Sequence, residues 1–279
     1  MKHYAFQAST PFEFEIKDLS EIKRYKRITG QPHRAEFYQI LRIESGESIH
    51  TVDFTPVKVI GGQMLFVAKN QVISFDVSSA YNGEIILFTD KFFIRCEHDS
   101  LFIKHLHLFN PFMGNILVHT NGQIINLWKM MKDEFASRHD TFQSNLIHHY
   151  LSAFLIQSER QCDVDFVQVK NQDYQLALQF TDLVEQHFKS FRKVSDYVDM
   201  MHISAKPLSR SLQAITGKTP KQYIDDRILL EAKRLLIYNS DSIKEITFAL
   251  GFDEPTNFSK FFREQTGFNP SDFKKQHTA

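Results

Sequence analysis

The segment 204–273 contains one pattern twice, first as Leu208-Ser209-Arg210-Ser211-Leu212-Gln213 and, fifty positions later, as Phe258-Ser259-Lys260-Phe261-Phe262-Arg263. In both copies a Thr-Gly pair, a proline and a closing aromatic residue follow at the same spacing. A repeat of this length is typical of a duplicated supersecondary unit.

Glycine, threonine, asparagine and proline mark helix ends in both copies. We expect Gly217 and Gly267 to close one helix in the left-handed conformation. Thr219-Pro220 and Asn269-Pro270 then cap and begin the next helix. One such helix, residues 220–238, would join the two copies and span ~30 Å, at ~1.5 Å per residue.

Another set of signals precedes the second copy. Ser242 and Glu245 form a capping box that opens a short helix, Gly251 turns the chain, and Asp253 is expected to cap the helix that follows. In the first copy Ser204 takes this last role. Short helix, tight turn and second helix together indicate helix-turn-helix units. We predict two of them, at residues 194–215 and 242–265.

Helical spacing separates an apolar from a polar face on each second helix, and the polar faces carry the side chains that read bases. Arginine and lysine contact guanine or phosphate, and asparagine and glutamine pair with adenine. One basic face alone is more typical of an ordinary solvated helix, but two within a duplicated unit favour DNA binding. The predicted DNA-binding residues are Lys206, Ser209, Arg210, Gln213, Thr256, Asn257, Lys260 and Arg263.

The segment from about Asn171 to Gln276 resembles the DNA-binding domain of the AraC/XylS family of bacterial transcription regulators. The most specific match is 243–252, Ile-Lys-Glu-Ile-Thr-Phe-Ala-Leu-Gly-Phe, followed by 257–263. Two departures are Thr247, where the family usually has alanine, and Pro207 in the first turn of the first recognition helix, where proline is tolerated.

The resemblance implies a transcription regulator and not an enzyme. Its implied partners are double-stranded promoter DNA and a second copy of the chain, since such regulators bind repeated half-sites as dimers. A small-molecule effector and RNA polymerase are further candidate partners.

The chain of 279 residues is long enough for two domains. We expect a sensing or dimerisation domain at 1–160, a linker at 161–172 and the DNA-binding domain at 173–279. The formal net charge is zero, and residues 171–279 contain 15 Lys and Arg against 14 Asp and Glu. The basic residues that bind DNA must therefore be concentrated locally.

Two cysteines at unrelated positions, Cys96 and Cys162, indicate neither a disulfide framework nor a zinc site. The N-terminus lacks the apolar run of a signal peptide, and no segment reaches the length of a membrane span. We expect a cytoplasmic, nucleoid-associated protein that contacts no membrane.

Residues 36–103 carry short β-branched and aromatic runs, which predict strands at 37–43, 48–54, 57–60, 64–68, 72–77 and 85–89. The predicted turns are 44–47, Gly61-Gly62 and Asn82-Gly83. Such strands indicate a sandwich or barrel. Pro32-His33, Phe37-Tyr38 and 87–93 resemble the cupin-like sensor domain of many AraC-family regulators. The expected fold class is therefore α+β in two domains, a cupin-like β-barrel with flanking helices and an all-α domain.

A small ligand in this barrel is one interpretation of His33, Arg34, Tyr38 and His50, and ordinary strand residues are the other. A metal-dependent cupin would need convergent ligands. His33, Glu36 and His50 are available, but Ile73 stands where related sequences often have histidine. His105 and His107 have H-x-H spacing in a different context.

We predict no metal and no cofactor. A cupin-type metalloenzyme fused to a helical DNA-binding tail is the alternative function, and a helical protein-interaction module is the third.

Residues 123–137 and 142–156 carry apolar side chains at helical intervals. Such a stripe usually packs on the core of its own domain. In the AraC/XylS family the equivalent helices commonly form the dimer interface, and both interpretations remain open.

Overall fold

The computed structural model describes residues 2–6, 11–24, 29–110, 114–137, 140–162 and 171–277. The chain divides into two compact units, 1–164 and 165–279. The first unit is rich in β-structure and the second is helical, which confirms the α+β class. Residues 163–170 of the predicted linker lie outside the described residues. The preceding helix extends to Glu159 and the next begins at Asn171.

The strands of the first unit are β1 (Lys2–Tyr4), β2 (Phe14–Asp18), β3 (His33–Ala35), β4 (Tyr38–Val52), β5 (Thr55–Ile60), β6 (Gln63–Val67), β7 (Val72–Ser74), β8 (Tyr81–Phe88) and β9 (Leu117–His119). The helices are α1 (Leu19–Arg24), α2 (Asp90–Phe93), α3 (Glu97–His105), α4 (Gly122–Ala136) and α5 (Gln143–Glu159), with a 3₁₀ turn at His107–Phe109.

The strands form two layers that share β4. The first half of β4 lies in the order β2-β8-β4-β6-β9, and its second half lies in the order β1-β3-β7-β4-β5. All pairings are antiparallel except β1 with β3.

Burial along β4 explains why its two halves read differently in the sequence. Residues 38–41 are all buried, because this half has the helices on one face and the other layer on the opposite face. In the second half Ser48, His50 and Val52 are buried, whereas Ile49 is exposed. Strands covered on both faces are apolar throughout, and strands with one wet face alternate.

Two predicted turns are wrong. Residues 44–47 lie within β4, which continues past a bulge near Ser45 instead of reversing. Asn82-Gly83 lies within β8, where a Cβ on Gly83 would lie 2.0 Å from the carbonyl oxygen of Arg42. Glycine is needed there for close strand approach and not for a reversal.

The chain reverses at Asp53 and Phe54, both with positive φ (43° and 72°), and again at Gly61-Gly62 as predicted. Positive φ is uncommon for aspartate and phenylalanine, so the first reversal had no local signature. The predicted strand 72–77 is shorter than expected and ends at Ser74.

The described residues of the first unit form two apolar clusters. One lies between the layers and contains Leu41, Val52, Ile73 and Tyr81, among others. The other lies between the first layer and the helices α4 and α5 and includes Trp128. The buried carboxylate of Glu84 joins this layer to α4: it accepts from Trp128 Nε1 at 2.7 Å and Arg42 Nη2 at 2.6 Å, and Lys132 also binds it.

The helices of the second unit are α6 (Asn171–His187), α7 (Val194–Met200), α8 (Ala205–Thr216), α9 (Pro220–Tyr238), α10 (Ile243–Ala249), α11 (Pro255–Thr266) and α12 (Pro270–His277). The capping box at Ser242, the cap at Thr219 and the left-handed conformation of Gly217 and Gly267 are confirmed, and Thr219 forms its own capping box with Gln222. Gly251 also has positive φ, 73°.

Some details of this unit differ from the prediction. Glu254 and not Asp253 occupies the N-cap position of α11, because the helix begins at Pro255, one residue later than expected, and the Glu254 side chain makes no capping hydrogen bond. In α9 the buried apolar stripe consists of Ile224, Ile228, Ala232 and Leu236.

Candidate DNA-binding surface

The first recognition helix, α8, buries Leu208 and Leu212 and leaves its polar face exposed. Lys206, Arg210 and Gln213 are exposed, and Ser209 is half-buried. The Gln213 amide donates to the Gly217 carbonyl at 2.9 Å, which folds it over the end of the helix. Lys206 and Arg210 are therefore the most available donors on this helix.

The second recognition helix, α11, buries Phe258 and Phe262, and Phe261 is only half-buried. All four predicted side chains of this helix are exposed: Thr256, Asn257, Lys260 and Arg263. Within the described residues, the structure gives neither Lys260 nor Arg263 an ion-pair partner. Both cations are available to a phosphate or a base edge.

An open groove of about 410 Å³ runs along α11. Pro255, Thr256, Ser259, Lys260, Arg263 and Asn269 line it. Ser259 and Asn269 were not predicted as site residues. Helical spacing would have found Ser259, three residues after Thr256 and four before Arg263. Asn269 lies beyond the helix, and the sequence indicates only a capping role for it.

The segment between α6 and α7 packs against the turn of the second motif. Arg192 Nη2 donates to the carbonyl oxygen of Gly251 at 2.6 Å, and its guanidinium lies 4.0 Å from the ring centre of Phe252. The backbone of Lys189 approaches so closely that a Cβ on Gly251 would be 1.7 Å from its oxygen. This contact therefore joins the second motif to the segment that leads into the first.

A second contact reaches the first recognition helix from α6. Arg210 Nη2 donates to Asp173 Oδ1 at 3.1 Å, and the buried hydroxyl of Ser211 donates to the same oxygen at 2.8 Å. Neither contact was visible in the sequence, because Asp173 and Arg210 are far apart along the chain.

The four predicted effector residues do not converge. His33 and His50 both contact the ring of Phe75, at centroid distances of 5.8 and 5.7 Å. Tyr38 instead packs against Phe88 in the cluster beneath the helices. Arg34, half-buried, follows His33 on β3. Only the two histidines lie together.

Both histidines are held by backbone groups. His33 Nδ1 donates to the carbonyl of Gln31 at 2.9 Å, and His50 Nδ1 accepts from the amide of Asp76 at 3.2 Å. Burial lowers the pKa of His33, and it lowers the pKa of His50 to about 4 against the attraction of the Asp76 carboxylate. Both rings are therefore neutral at neutral pH.

Within the described ranges no three His, Cys, Asp or Glu side chains converge as metal ligands. His33 lies opposite Ile73 in the β3–β7 pair, where a second histidine would have stood. His107 Nδ1 bonds the carboxylate of Glu159 at 2.5 Å. Among the helices in the described part of the chain, none combines the length and apolar character that crossing a membrane requires.

The helices α4 and α5 have both buried and exposed apolar residues. Ile124, Trp128 and Met131 pack into the core of their own unit. Five large apolar side chains on or beside these helices remain exposed: Ile125, Met130, Phe142, Leu146 and Ile156.

Comparison with known proteins gives a domain match and similar chains. Residues 197–276 match a helix-turn-helix domain family. The chain is 25% identical over 252 residues to the HTH-type transcriptional activator RhaS of Escherichia fergusonii, covering 88% of each protein. It is 23% identical to RhaS of Yersinia pestis, covering 88% of this chain and 89% of the relative.

ToxT from Vibrio cholerae is among the similar solved structures, with 14% identity and a TM-score of 0.46 over 97% of this chain and 100% of ToxT. The domain match and the RhaS relatives confirm the resemblance drawn from the sequence. The chain is thus similar to transcription regulators of the AraC/XylS family, and its residues 197–276 match a helix-turn-helix domain.

Proposed function

We propose that this protein is a sequence-specific regulator of transcription that places α8 and α11 in successive major grooves of promoter DNA. The observation that carries the proposal is the pair of exposed polar faces on two helices of one duplicated unit. The α9 helix of 19 residues that joins the copies is ~30 Å long at ~1.5 Å per residue, close to the ~34 Å repeat of DNA.

The predicted side chains divide by chemistry. Arg210 and Asn257 are suited to base edges, because a guanidinium can pair with guanine and an amide with adenine in two-point contacts. Lys206, Lys260 and Arg263 are suited to phosphate or guanine. The groove along α11 adds Ser259 and Asn269 as hydrogen-bonding groups beside the last two cations.

The first unit serves this function as a sensing or dimerisation domain in our proposal. The Nε2 atom of His50 is buried between the layers and has no hydrogen-bond partner among the described residues, which suits a polar ligand group. The exposed apolar residues of α4 and α5 suit a second copy of the chain. With this role the protein would work on the nucleoid, with RNA polymerase as a further partner.

Genome-wide immunoprecipitation of the tagged protein tests the DNA-binding function. The wild type should give discrete peaks that share one motif, and the Arg210→Ala, Lys260→Ala double variant should lose them. Each contact contributes ~1–3 kcal/mol, so the pair should lower specific affinity at least tenfold.

The control is the Lys58→Ala, Lys91→Ala double variant, which removes two exposed positive charges of the first unit that belong to neither recognition helix. Its peaks should persist. Peaks that the Arg210, Lys260 pair leaves unchanged would contradict the two-groove arrangement. If no growth condition produced peaks for the wild type, DNA binding itself would be excluded.

A further inference from the structure

We propose that Asp173 is a positioning residue for base readout: its carboxylate holds the guanidinium of Arg210 in place, so that the first recognition helix discriminates one base position. The proposal rests on the function proposed above, because it assigns Arg210 a base to read. It adds a specificity residue that lies outside both helix-turn-helix motifs.

The carboxylate of Asp173 lies in a fixed place. It belongs to the first turn of α6, which packs along α8. Its Oδ1 accepts the hydroxyl of Ser211 at 2.8 Å, and Ser211 is fully buried. The Asp173 side chain is itself only 15% exposed, whereas that of Arg210 is 72% exposed. A largely buried carboxylate thus holds the guanidinium at the tip of an exposed side chain.

The contact leaves Arg210 able to read a base. A guanidinium has five N–H donors, and the bond to Asp173 uses one of them, on Nη2. The remaining donors suffice for the O6 and N7 atoms of guanine. An arginine that is already ordered loses less rotamer freedom when it binds, so its preference for the correct base is sharper.

The second recognition helix lacks this arrangement. Lys260 occupies the position of Arg210 in the repeat, and Phe261 occupies that of Ser211. Within the described residues, Lys260 has no ion-pair partner. We therefore expect the first motif to discriminate bases more strictly than the second at these equivalent positions.

Removing the negative charge of Asp173 should have different effects on DNA affinity if the residue positions Arg210 and if it only stabilises the fold. Beside phosphates a carboxylate weakens binding to any DNA, so its loss should leave non-specific affinity equal or higher. Loss of positioning should at the same time lower discrimination at one base position. Aspartate in the first turn also stabilises its own helix, and loss of that contribution would weaken binding to all sequences alike.

The experiment uses the full chain and duplex DNA randomised over about three helical turns of ~34 Å. Wild-type protein selects the preferred duplex. Dissociation constants are then measured for that duplex, its single-base variants and an unselected duplex. The proteins are wild type, Asp173→Asn, Arg210→Ala, the double variant, Ser211→Ala and Asp199→Asn, and unfolding is measured in parallel.

Asp173→Asn keeps an acceptor for Ser211 and should lose about five- to tenfold in discrimination at one position. The loss should disappear in the Arg210→Ala background, because the two residues act as one unit. Asp199→Asn removes the same charge from an exposed site of the domain and should leave discrimination unchanged. Ser211→Ala should cause a smaller loss at the same position.

Three results would overturn the inference in distinguishable ways. Equal weakening of every duplex by Asp173→Asn, with lower stability, would make Asp173 structural. A loss that persists without Arg210 would show that Asp173 acts through another group. If the wild type enriches no sequence, the proposed function fails, and this inference fails with it.

Discussion

At the scale of single residues, Gly251 and Gly217 have similar backbone angles in different surroundings. Their φ values are 73° and 68°. A Cβ on Gly251 would meet the oxygen of Lys189 at 1.7 Å, whereas a Cβ on Gly217 would meet nothing within 4 Å. The first glycine is therefore required for both conformation and space, and the second for conformation alone.

Replacing each glycine by alanine separates these two requirements. Gly217→Ala should reduce the free energy of unfolding by ~1–2 kcal/mol, the cost of left-handed backbone for an L-residue. Gly251→Ala should cost at least ~3 kcal/mol, because the clash with backbone is added. Urea unfolding followed by helical circular dichroism measures both. Equal costs would show that the loop at Lys189 moves aside freely.

At the scale of elements, helices were predictable wherever their ends are set by local chemistry. Thr219 and Ser242 cap α9 and α10 through hydrogen bonds to residues only three positions further along the chain. Such a pair of residues can be recognised in the sequence. The ends of strand β4 could not be predicted from local residues. Its continuation through Gly46 depends on the bulge against β8, and that partner lies more than thirty residues away.

In the candidate site, too, local features were predictable and tertiary contacts were not. Periodicity alone predicted the exposed side chains of α8 and α11, since 3.6 residues per turn fixes which positions share a face. The partners that orient them were not predictable, because Asp173 and Arg192 meet their targets only through tertiary packing. The DNA-binding roles of the predicted residues stay predictions.

We predict a dimer interface on the hairpin of α4 and α5, because this hairpin exposes large apolar side chains. Phe142 and Leu146 are 66% and 39% exposed, one helical turn apart. If they lie in an interface, Phe142→Glu with Leu146→Glu should raise the dimer dissociation constant by tens- to thousands-fold, since a buried unpaired charge costs ~2–5 kcal/mol. Sedimentation equilibrium measures it. Ile60→Glu, at an exposed position on β5, is the control, and a monomeric wild type would refute the dimer.

At the scale of the whole molecule, the β-rich unit should be sensitive to acid. Burial lowers the pKa of His33, His50 and His148, all within this unit. His50 faces the Asp76 carboxylate, the Lys23 ammonium and the rings of Phe75 and Tyr81. Between the folded and unfolded pKa values of a histidine, the unfolded chain binds more protons, so stability falls as pH falls.

For His50 this window lies between its ordinary pKa of 6.5 and about 4. The contribution lost across it is ~3 kcal/mol at most, at 1.36 kcal/mol per pKa unit. His50→Gln should flatten the dependence of unfolding free energy on pH, and exposed His98→Gln should not. The fluorescence of Trp128, the single tryptophan and buried in this unit, reports the transition. An unchanged slope in His50→Gln would exclude the histidine as its cause.

The hydrogen bond from Arg192 to the carbonyl of Gly251 has a consequence for how the two helix-turn-helix motifs fold. The bond closes a loop of 59 residues, so the second motif forms part of the support of the segment that leads into the first. A chain truncated before Gly251 would lose the carbonyl acceptor and the Phe252 ring together. The first copy therefore depends on the second for part of its support. We expect the two copies to unfold in a single cooperative transition.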